Sequence, residues 1–388
     1  MGTIGWHLKN IAATAFSACG LELKQKVTEE QVFQKKLIIK TLLAKQCLEK
    51  RDFCDLSLSE KTEVREYWAQ FGIKIRSFDW YRVFKGLYGF SPQYVSDDIY
   101  AYVIWPYLNK EDFVRVYMDK NAYDYSFPSL RFPDTVLRKI NGKYYGQNYN
   151  YLGTVSDARS VLISEKEIIV KDALESGEGR GIKKYGIVSR DDVDSMLAEW
   201  EDAENCLFQR VIKEHSILAD FNQSSVNILR VNSLFLNGRV QIMPSCIRFG
   251  TPGYITDTCY IDGYEIGNVV GVSSEGVIND SVVTYLAERR PLPFDPKGRT
   301  LVIPKWKEII EAVKEAHKSI HYFDLVGWDV VIDPNEDIIF IEYNIKRPGI
   351  KFLQYVNGPF FGELTDEVMN PFKDREFQLK HIPSYFRL

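Results

Sequence analysis

The stretch that decides the fold is residues 326–344, VGWDVVIDPNEDIIFIEYN, near the end of the 388-residue chain. Two apolar runs, residues 326–332 and residues 338–344, flank the segment DPNED, whose composition is typical of a tight turn. β-Branched and aromatic side chains dominate both runs. The sequence therefore predicts two antiparallel strands that are joined by a short turn.

Three polar side chains interrupt this apolar hairpin. Asp329 lies within the first strand, whereas Glu342 and Asn344 lie two residues apart on the second. Side chains alternate along a strand, so Glu342 and Asn344 share one face, and pairing of the strands can bring Asp329 beside them. Three oxygen ligands on rigid strands suit Mg²⁺, although polar residues at the end of a hairpin are an ordinary alternative. An acidic residue among Val, Ile and Trp needs a partner, which favours the metal interpretation.

A second candidate site begins at Lys171, which ends a predicted strand over residues 168–171 and precedes the loop SGEGRG at residues 176–181. Glycines let backbone N–H groups approach an anion, and the lysine supplies a positive charge, so this segment is a candidate phosphate cradle. It contains neither GxxxxGK[ST] nor a GxGxxG that opens a helix. A flexible turn is therefore the alternative reading.

Two arginines lie on a second predicted hairpin. Residues 225–236 and 239–249 read as long strands that are joined by Asn237-Gly238, a typical hairpin turn. Arg230 lies on the first strand and Arg248 on the second. Strand arginines can bind a carboxylate or a phosphate through two hydrogen bonds, or they can decorate a solvated face of the sheet.

The rest of the chain supports a mixed architecture. Residues 28–31, TEEQ, form a capping box before a predicted helix that ends at Lys50, and a second helix is predicted over residues 59–71. Residues 78–125 continue as aromatic-rich helical segments, and Asn141-Gly142 predicts a further hairpin. The expected fold class is α+β, with a helical N-terminal region followed by a region rich in hairpins.

One helix carries two histidines that are candidates for a site. His317 and His321 are four residues apart on a helix predicted over residues 305–321. This helix lacks the HExxH glutamate of a zinc protease, so both histidines are predicted to lie on a solvated face.

Composition and charge exclude several classes of protein. Hydrophobic residues make up 45% of the chain and charged residues 26%, as in soluble globular proteins. The net charge of -4 argues against a nucleic-acid binder that relies on bulk charge. The cysteines form no CxxC pair, only Lys9 precedes a mildly apolar segment at residues 11–21, and no stretch approaches the ~20 apolar residues of a membrane span. The expectation is a cytoplasmic protein without a membrane span.

Taken in order, these segments resemble the ATP-grasp superfamily, and within it the sugar-transfer-associated branch that occurs with bacterial polysaccharide biosynthesis genes. The resemblance covers about residues 119–354 and rests on the segments 119–121, 168–181, 208–212, 225–230, 247–250, 327–330, 342–344 and 347–349. It implies an ATP-grasp fold, in which two α+β subdomains grip ATP. The implied division is a helical N-terminal region (1–118) and an ATP-grasp domain (119–388), whose parts are about 119–212 and 213–388.

The resemblance also implies a role for individual residues. The implied nucleotide-binding residues are Lys120, Lys171, Ser176, Gly177, Gly179, Gly181, Gln209, Arg210, Val211 and Glu214 (or His215 beside the ribose). The implied metal ligands for Mg²⁺ are Asp329, Glu342 and Asn344. The implied catalytic residues are Arg230, Arg248 and Asn227, and the implied substrate-binding residues are Ser225, Arg347 and Gly349.

The activity that the resemblance implies is an ADP-forming carboxylate–amine ligase that makes an amide through an acyl phosphate. The cofactors would be ATP and Mg²⁺, and the carboxylate would belong to an acidic sugar or a glycan. Two alternatives remain open at this point, an ATP-dependent sugar or glycan kinase and a nucleotide-binding scaffold without turnover. The sequence also leaves open whether the protein forms a homodimer.

Overall fold

The computed structural model of the protein describes residues 29–174, 181–262 and 264–388. The α-helices of this part are α1 (Glu29–Lys50), α2 (Leu58–Ala69), α3 (Asp79–Tyr88), α4 (Asp97–Ile99), α5 (Trp105–Leu108), α6 (Glu111–Tyr117), α7 (Tyr123–Ser126), α8 (Val155–Leu162), α9 (Arg190–Glu199), α10 (Ser216–Ala219), α11 (Trp306–His317), α12 (Lys351–Asn357), α13 (Thr365–Met369) and α14 (Arg375–His381). A π-helical segment, Tyr100–Ile104, joins α4 to α5.

The strands of the described part are β1 (Thr135–Ile140), β2 (Lys143–Gly146), β3 (Tyr151–Leu152), β4 (Glu167–Asp172), β5 (Ile182–Gly186), β6 (Cys206–Arg210), β7 (Ile228–Leu236), β8 (Arg239–Phe249), β9 (Cys259–Ile261), β10 (Tyr264–Ile266), β11 (Asn268–Val272), β12 (Ser281–Thr284), β13 (Arg289–Pro291), β14 (Leu325–Ile332) and β15 (Ile338–Asn344). Short 3₁₀ turns cover Lys120–Ala122, Gly362–Leu364, Asn370–Lys373 and Ser384–Phe386.

Two antiparallel sheets form the body of the protein. The smaller sheet has six strands in the order β3-β2-β1-β6-β4-β5, and the larger has seven in the order β13-β12-β11-β8-β7-β14-β15. Each sheet has its own hydrophobic core, because α8 and α9 cover the small sheet around Leu137, Ile168 and Phe208, apart from the core of the large sheet. The predicted α+β class with two subdomains is confirmed.

The predicted hairpins are present with the expected turns. Asn141-Gly142 and Asn237-Gly238 both have positive φ at both residues (50° and 74°, 49° and 77°), as a type I′ turn requires. The strands β14 and β15 pair so that Asp329 lies opposite Glu342, and a bulge follows immediately at Asp329/Val330. Helix α1 ends at Lys50 as predicted.

The N-terminal helices share one hydrophobic core with the large sheet. Trp68, Trp105 and Phe84 are buried together with residues of β7, β8 and β14. Buried side-chain amides connect the two parts, since Gln354 bonds both the N–H and the carbonyl of Val95 at 3.0 and 2.9 Å. Within the described residues, no helix is both long enough and apolar enough to cross a membrane.

The prediction for His317 was wrong. Helix α11 lays this side chain against β7, where it is 2% exposed, and its Nδ1 lies 2.6 Å from the Ser233 hydroxyl. Its Nε2 lies 3.0 Å from the carbonyl of Phe323, and burial lowers the pKa of His317 to about 4. The sequence alone does not reveal that the His317 ring will be buried beside a hydroxyl on another element. His321 is exposed, as predicted.

Asn109 provides a test of the connection between the helices and the large sheet. This fully buried side chain donates to the carbonyls of Leu325 and Ile345, both at 2.8 Å, and accepts from the Leu325 N–H at 3.0 Å. We expect Asn109→Ala to lower the free energy of unfolding by about 3 kcal/mol, because buried groups lose their partners. Urea denaturation measures this loss. The control Asn335→Ala, in the exposed turn before β15, should leave the midpoint unchanged, and equal effects of both variants would contradict the prediction.

Candidate functional site

A cavity lies between the two sheets and collects side chains from both. Its lining residues are Lys120, Pro133, Ile169, Lys171, Ile182, Gln209, Arg210, Ile212, Val226, Ile228, Arg248, Ile255, Thr256, Asp257, Asp329, Ile341 and Glu342. Aliphatic side chains therefore line the same space as two lysines, two arginines and three carboxylates. Such a cavity can hold a ligand that has both an apolar and an anionic part.

Two buried lysines bring an excess of positive charge to the cavity. Lys171 on β4 is 6% exposed and Lys120 is 4% exposed. Burial, together with the charge of Lys120, lowers the pKa of Lys171 from 10.5 to about 8. The Lys120 Nζ lies 3.4 Å from the Glu342 carboxylate, and its backbone N–H donates to Ala173 at the end of β4 at 3.0 Å. Burial and the charge of Lys120 both disfavour the charged form of Lys171, so a bound anion would stabilise it.

The glycine-rich segment at residues 176–181 follows β4 in the sequence and precedes β5. Ser176, Gly177 and Gly179 lie outside the described residues. Gly181 is described and has φ +71°, and a Cβ at this position would lie 2.0 Å from the Asp172 carboxylate. A side chain at this position would be strained by the positive φ and would have to displace the Asp172 carboxylate, so glycine is favoured there.

The predicted metal ligands lie together at the pairing of β14 with β15. Asp329 is 3% exposed and receives two hydrogen bonds from Arg230, from Nε to Oδ1 at 2.5 Å and from Nη2 to Oδ2 at 3.0 Å. Asn344 donates from Nδ2 to the same Oδ2 at 3.1 Å. Burial alone would raise the pKa of Asp329, but the charges of Arg230 and Arg248 hold it below its ordinary value. Asp329 is therefore ionised.

The chemistry of these donors fits a hard divalent cation. No group of three or more His, Cys, Asp and Glu side chains is placed to hold a metal in the described ranges, so the set here is two carboxylates and an amide. A carboxylate has about four lone-pair positions, and Asp329 uses three of them on Arg230 and Asn344. One position remains on Oδ1, and the Glu342 side chain is 26% exposed at the cavity. Mg²⁺ needs few protein oxygens because water and phosphate complete its octahedron.

Arg248 lies in the cavity but already has a carboxylate partner. It donates from Nε to the Asp257 Oδ2 at 2.8 Å, and a second bond runs from Nη2 to the same oxygen. Asp257 belongs to a tight loop after β8, in which a Cβ at Gly250 would lie 2.1 Å from the Thr256 carbonyl. Arg248 can bind an external anion only in exchange for Asp257 or through its remaining N–H donors.

Three predicted nucleotide-binding residues, Gln209, Arg210 and Val211, lie at and just after the end of β6, and this segment is called the hinge. Gln209 lines the cavity, and its Nε2 donates to the Thr135 hydroxyl at 2.8 Å. Arg210 also reaches the lining, but it binds Glu165 at 2.8 Å. Val211 lines a separate surface cleft beside residues 131–134 and 333–335. After the hinge, the His215 N–H donates to the carbonyl of Ile332 at 2.8 Å, which attaches this segment to the large sheet.

The Glu214 carboxylate accepts its hydrogen bonds from Asn227. The Asn227 backbone N–H and Nδ2 donate to the Glu214 carboxylate at 2.7 and 3.0 Å. Burial nevertheless raises the pKa of Glu214 to about 8. The Ser225 hydroxyl accepts from Asn222 at 2.9 Å. Asn227 therefore holds the Glu214 carboxylate, and Ser225 holds the Asn222 side chain. In this segment the residues that line the cavity are Val226 and Ile228.

The loop after β15 carries the two remaining candidates. Arg347 has φ 53°, and its guanidinium lies 5.1 Å from the Trp105 ring and 5.7 Å from the Tyr102 ring. Gly349 is exposed, and a Cβ there would meet no atom within 4 Å. Both residues border the N-terminal helical region.

Sequence reasoning missed the partners of the charged residues and the aliphatic wall. Asp257 gave no signal, because it lies in a loop without any motif. The aliphatic residue Ile169 could have been found, since alternation along β4 places it on the same face as Lys171. Tyr102 and Trp105 could not, because their contact with Arg347 joins residues far apart in the chain.

Comparison with protein-family models identifies a match between residues 187–370 and the family described as sugar-transfer associated ATP-grasp. The resemblance predicted from the sequence is confirmed over this range, which contains Asp329, Glu342 and Asn344. Lys120 and Lys171 precede the range, so their assignment rests on the geometry of the cavity. No curated protein matches the sequence significantly.

Solved structures with a similar course of the chain include ligases. N5-carboxyaminoimidazole synthetase from Staphylococcus aureus, complexed with ADP, is 12% identical with a TM-score of 0.38, and the match covers 63% of this chain and 48% of that one. D-alanyl-alanine synthetase A from Vibrio cholerae is 17% identical with a TM-score of 0.40, covering 66% of both chains. An ATP-grasp ligase complexed with a precursor variant, Mg and ADP is 11% identical with a TM-score of 0.40, covering 69% of this chain and 62% of that one. This chain thus spans about half the length of the first of these structures.

The lowered pKa of Lys171 leads to a prediction about stability. The unfolded chain holds the lysine proton up to pH 10.5, whereas the folded protein releases it near pH 8, so wild-type stability should rise with pH between these values. Lys171→Met should remove this rise and increase the free energy of unfolding at pH 7 by about 3 kcal/mol. Urea denaturation at pH 7 and pH 10 measures both effects.

Lys143→Met, an exposed lysine on β2 of the same sheet, is the control and should change neither value. A Lys171→Met protein that is less stable than the wild type at pH 7 would show that the lysine stabilises the ligand-free fold.

Proposed function

We propose that this protein is an ATP-dependent ligase that joins a carboxylate to an amine through an acyl phosphate. The observation that carries the proposal is the joint placement of two buried lysines and the oxygen ligands Asp329 and Glu342 in one cavity between two sheets. Cations and metal ligands side by side suit a polyphosphate better than any other common ligand. The match to an ATP-grasp family model supports the same reading.

The nucleotide would lie across the cavity from the hinge to the metal ligands. Its base would pack on the aliphatic wall around Ile169 and Ile341, close to Gln209. Glu214 would accept hydrogen bonds from the ribose, for which its buried carboxylate is already held by Asn227. Lys120 and Lys171 would bind the phosphates, and the loop that contains Ser176, Gly177, Gly179 and Gly181 would cover them. A covered site would keep water from a reactive intermediate.

Asp329, Glu342 and Asn344 would hold Mg²⁺, which in such a site neutralises charge on the phosphate oxygens and orients them. Arg230 has a positioning role here, because its two bonds fix the plane of the Asp329 carboxylate. The free amino group of this guanidinium, Nη1, remains for the substrate.

The reaction balances in two steps. A substrate carboxylate attacks the γ-phosphorus of ATP, an acyl phosphate forms, and ADP leaves. An amine then attacks the acyl carbon, loses a proton as the amide forms, and inorganic phosphate leaves. Arg248 would exchange Asp257 for the developing oxyanion or the phosphate, which places a fixed positive charge where negative charge accumulates.

The substrate class follows from the family description alone. A sugar-transfer context favours an acidic sugar or a glycan-linked carboxylate in bacterial polysaccharide biosynthesis. The partners would then be ATP, this carboxylate and an amine, in the cytoplasm. A kinase that phosphorylates a sugar hydroxyl would use the same nucleotide site, and so would a scaffold without turnover. The chemistry of the product separates the three.

The metal assignment can be tested with Glu342→Gln. A neutral amide is a poorer ligand for a hard cation, so this variant should lose the gain in ADP affinity that Mg²⁺ gives the wild type, by roughly 100-fold or more. Calorimetric titration of ADP with Mg²⁺ and with EDTA measures the gain. Glu336→Gln, in the exposed turn before β15, should keep it. The metal assignment is wrong if Glu342→Gln and wild type respond equally to Mg²⁺.

The reaction class can be tested with hydroxylamine in place of the amine. A ligase should convert ATP and a uronic acid into a hydroxamate, ADP and phosphate, and Arg248→Ala should suppress the hydroxamate. Arg239→Ala, which removes an exposed arginine from the start of the same strand, should have no effect. Phosphate esterified to a sugar hydroxyl, without hydroxamate from any carboxylate, would establish the kinase instead. Binding of ATP without turnover of any substrate would favour the scaffold.

A further inference from the structure

The N-terminal helical region fixes the loop that follows the metal ligands. The Trp105 indole and the Asn109 amide donate to the carbonyl of Ile345 at 2.9 and 2.8 Å. The Tyr100 hydroxyl donates to the carbonyl of Pro348 at 2.6 Å. All three donors are buried and belong to the stretch from the π-helical segment to the residue after α5. The conformation of residues 345–348 therefore depends on a region that carries no recognised motif.

Arg347 lies in this loop with an unusual backbone conformation. Its φ of 53° is rare for a residue other than glycine and has a conformational cost, which the surrounding contacts must offset. The guanidinium packs on Tyr102 and Trp105, at 5.7 and 5.1 Å from the ring centres. Cation–π contacts of this kind hold a guanidinium in place without neutralising its charge.

The Arg347 guanidinium has no anionic partner among residues 29–174, 181–262 and 264–388. Among the described residues, none forms a hydrogen bond or an ion pair with it, and its Nε is buried without an acceptor. Asp97, in α4 of the same helical stretch, is paired with Lys40 at 3.3 Å. A guanidinium offers five donors, and a buried donor without an acceptor is costly. An anionic acceptor on a bound ligand would therefore complete the arrangement that the described residues form around Arg347.

A second arginine borders the same place. Arg230 uses Nε and Nη2 on Asp329, so Nη1 remains. A Cβ at Gly327 would lie 3.2 Å from this Nη1 and 3.2 Å from the Pro348 side chain, which shows how closely the loop approaches Arg230. Burial raises the pKa of Tyr100 strongly, and the charges of both Arg230 and Arg347 oppose that rise. Tyr100 therefore lies within electrostatic reach of both guanidinium groups.

We propose that Arg347, held by Tyr102 and Trp105, binds an anionic oxyacid group of the substrate, either a carboxylate or a phosphate. Given the proposed function, on which this step rests, the carboxylate that becomes phosphorylated lies beside Arg230 and the metal ligands. The group at Arg347 is a second anion, so the substrate carries at least two anionic groups. The N-terminal helical region thereby helps to determine which substrate the active site binds, and Tyr102 and Trp105 are positioning residues.

The test measures anion binding in the presence of saturating MgADP, which occupies the nucleotide phosphates. Succinate and inorganic phosphate are titrated as probes by calorimetry, and acetate serves as the single-charge comparison. Arg347→Asn removes the charge with a residue that tolerates positive φ, so the loop is preserved. Arg347→Lys keeps the charge but loses the planar fork. Tyr102→Leu removes the ring under the guanidinium, and Tyr102→Phe is its matched control.

We expect at least one dianion to bind the wild type more tightly than acetate does, with a dissociation constant at least tenfold higher in Arg347→Asn. Arg347→Lys should fall between them, Tyr102→Leu should weaken binding severalfold, and Tyr102→Phe should equal the wild type. Whichever probe shows this pattern identifies the group as carboxylate or phosphate. Equal binding by wild type and Arg347→Asn, or no binding of either dianion, overturns the inference. Absence of MgADP binding in the wild type would instead overturn the proposed function, so the two failures are distinguishable.

Discussion

The buried pair between Arg230 and Asp329 is the interaction on which the site depends. The two residues are direct partners on the central strands β7 and β14, and both are almost fully buried. Removal of one member would leave an uncompensated charge in the core, which costs about 3–5 kcal/mol. The pair therefore couples the register of the large sheet to the ionised state and the orientation of Asp329. A strand slip by one residue would lose the pair and the ligand set together.

The described residues balance the charges around the cavity only in part. Asp329 is matched by Arg230, Arg248 by Asp257, and Lys120 lies 3.4 Å from Glu342, whereas no described residue forms an ion pair with Lys171. Burial disfavours the charge on Lys171 and also that on Glu214, whose pKa rises to about 8. A ligand with several negative charges and hydroxyl donors would relieve both penalties. In the ligand-free protein the charged forms of Lys171 and Glu214 are therefore destabilised by burial, and a bound nucleotide would stabilise them.

The parts of this site that are local in sequence could be predicted, and the parts that depend on distant contacts could not. The two Asn-Gly turns and the β14–β15 hairpin follow from residues within one short window, and so does the position of Asp329 opposite Glu342. The partners of charged groups are set by tertiary packing. For this reason the sequence did not show that Arg248 donates to Asp257 or that His317 is buried in contact with the Ser233 hydroxyl. The hydrogen bonds of Asn227 to Glu214 and of Asn222 to Ser225 likewise could not be read from the sequence, and the roles predicted for Asn227 and Ser225 stay predictions.

The helical N-terminal region is the clearest case in which packing carries information that motifs lack. Its helices share the core of the large sheet, so they cannot be removed without exposing that core to water. Its polar side chains are just as constrained, because Asn109 and Trp105 donate hydrogen bonds to the carbonyl of Ile345 directly after β15. A backbone carbonyl at that depth needs a donor, and a mobile loop cannot supply one reliably. The conformation of β15 and of the loop after it therefore depends on residues about 240 positions earlier in the chain. Substitutions in this helical region can then change the substrate preference while the nucleotide site stays the same.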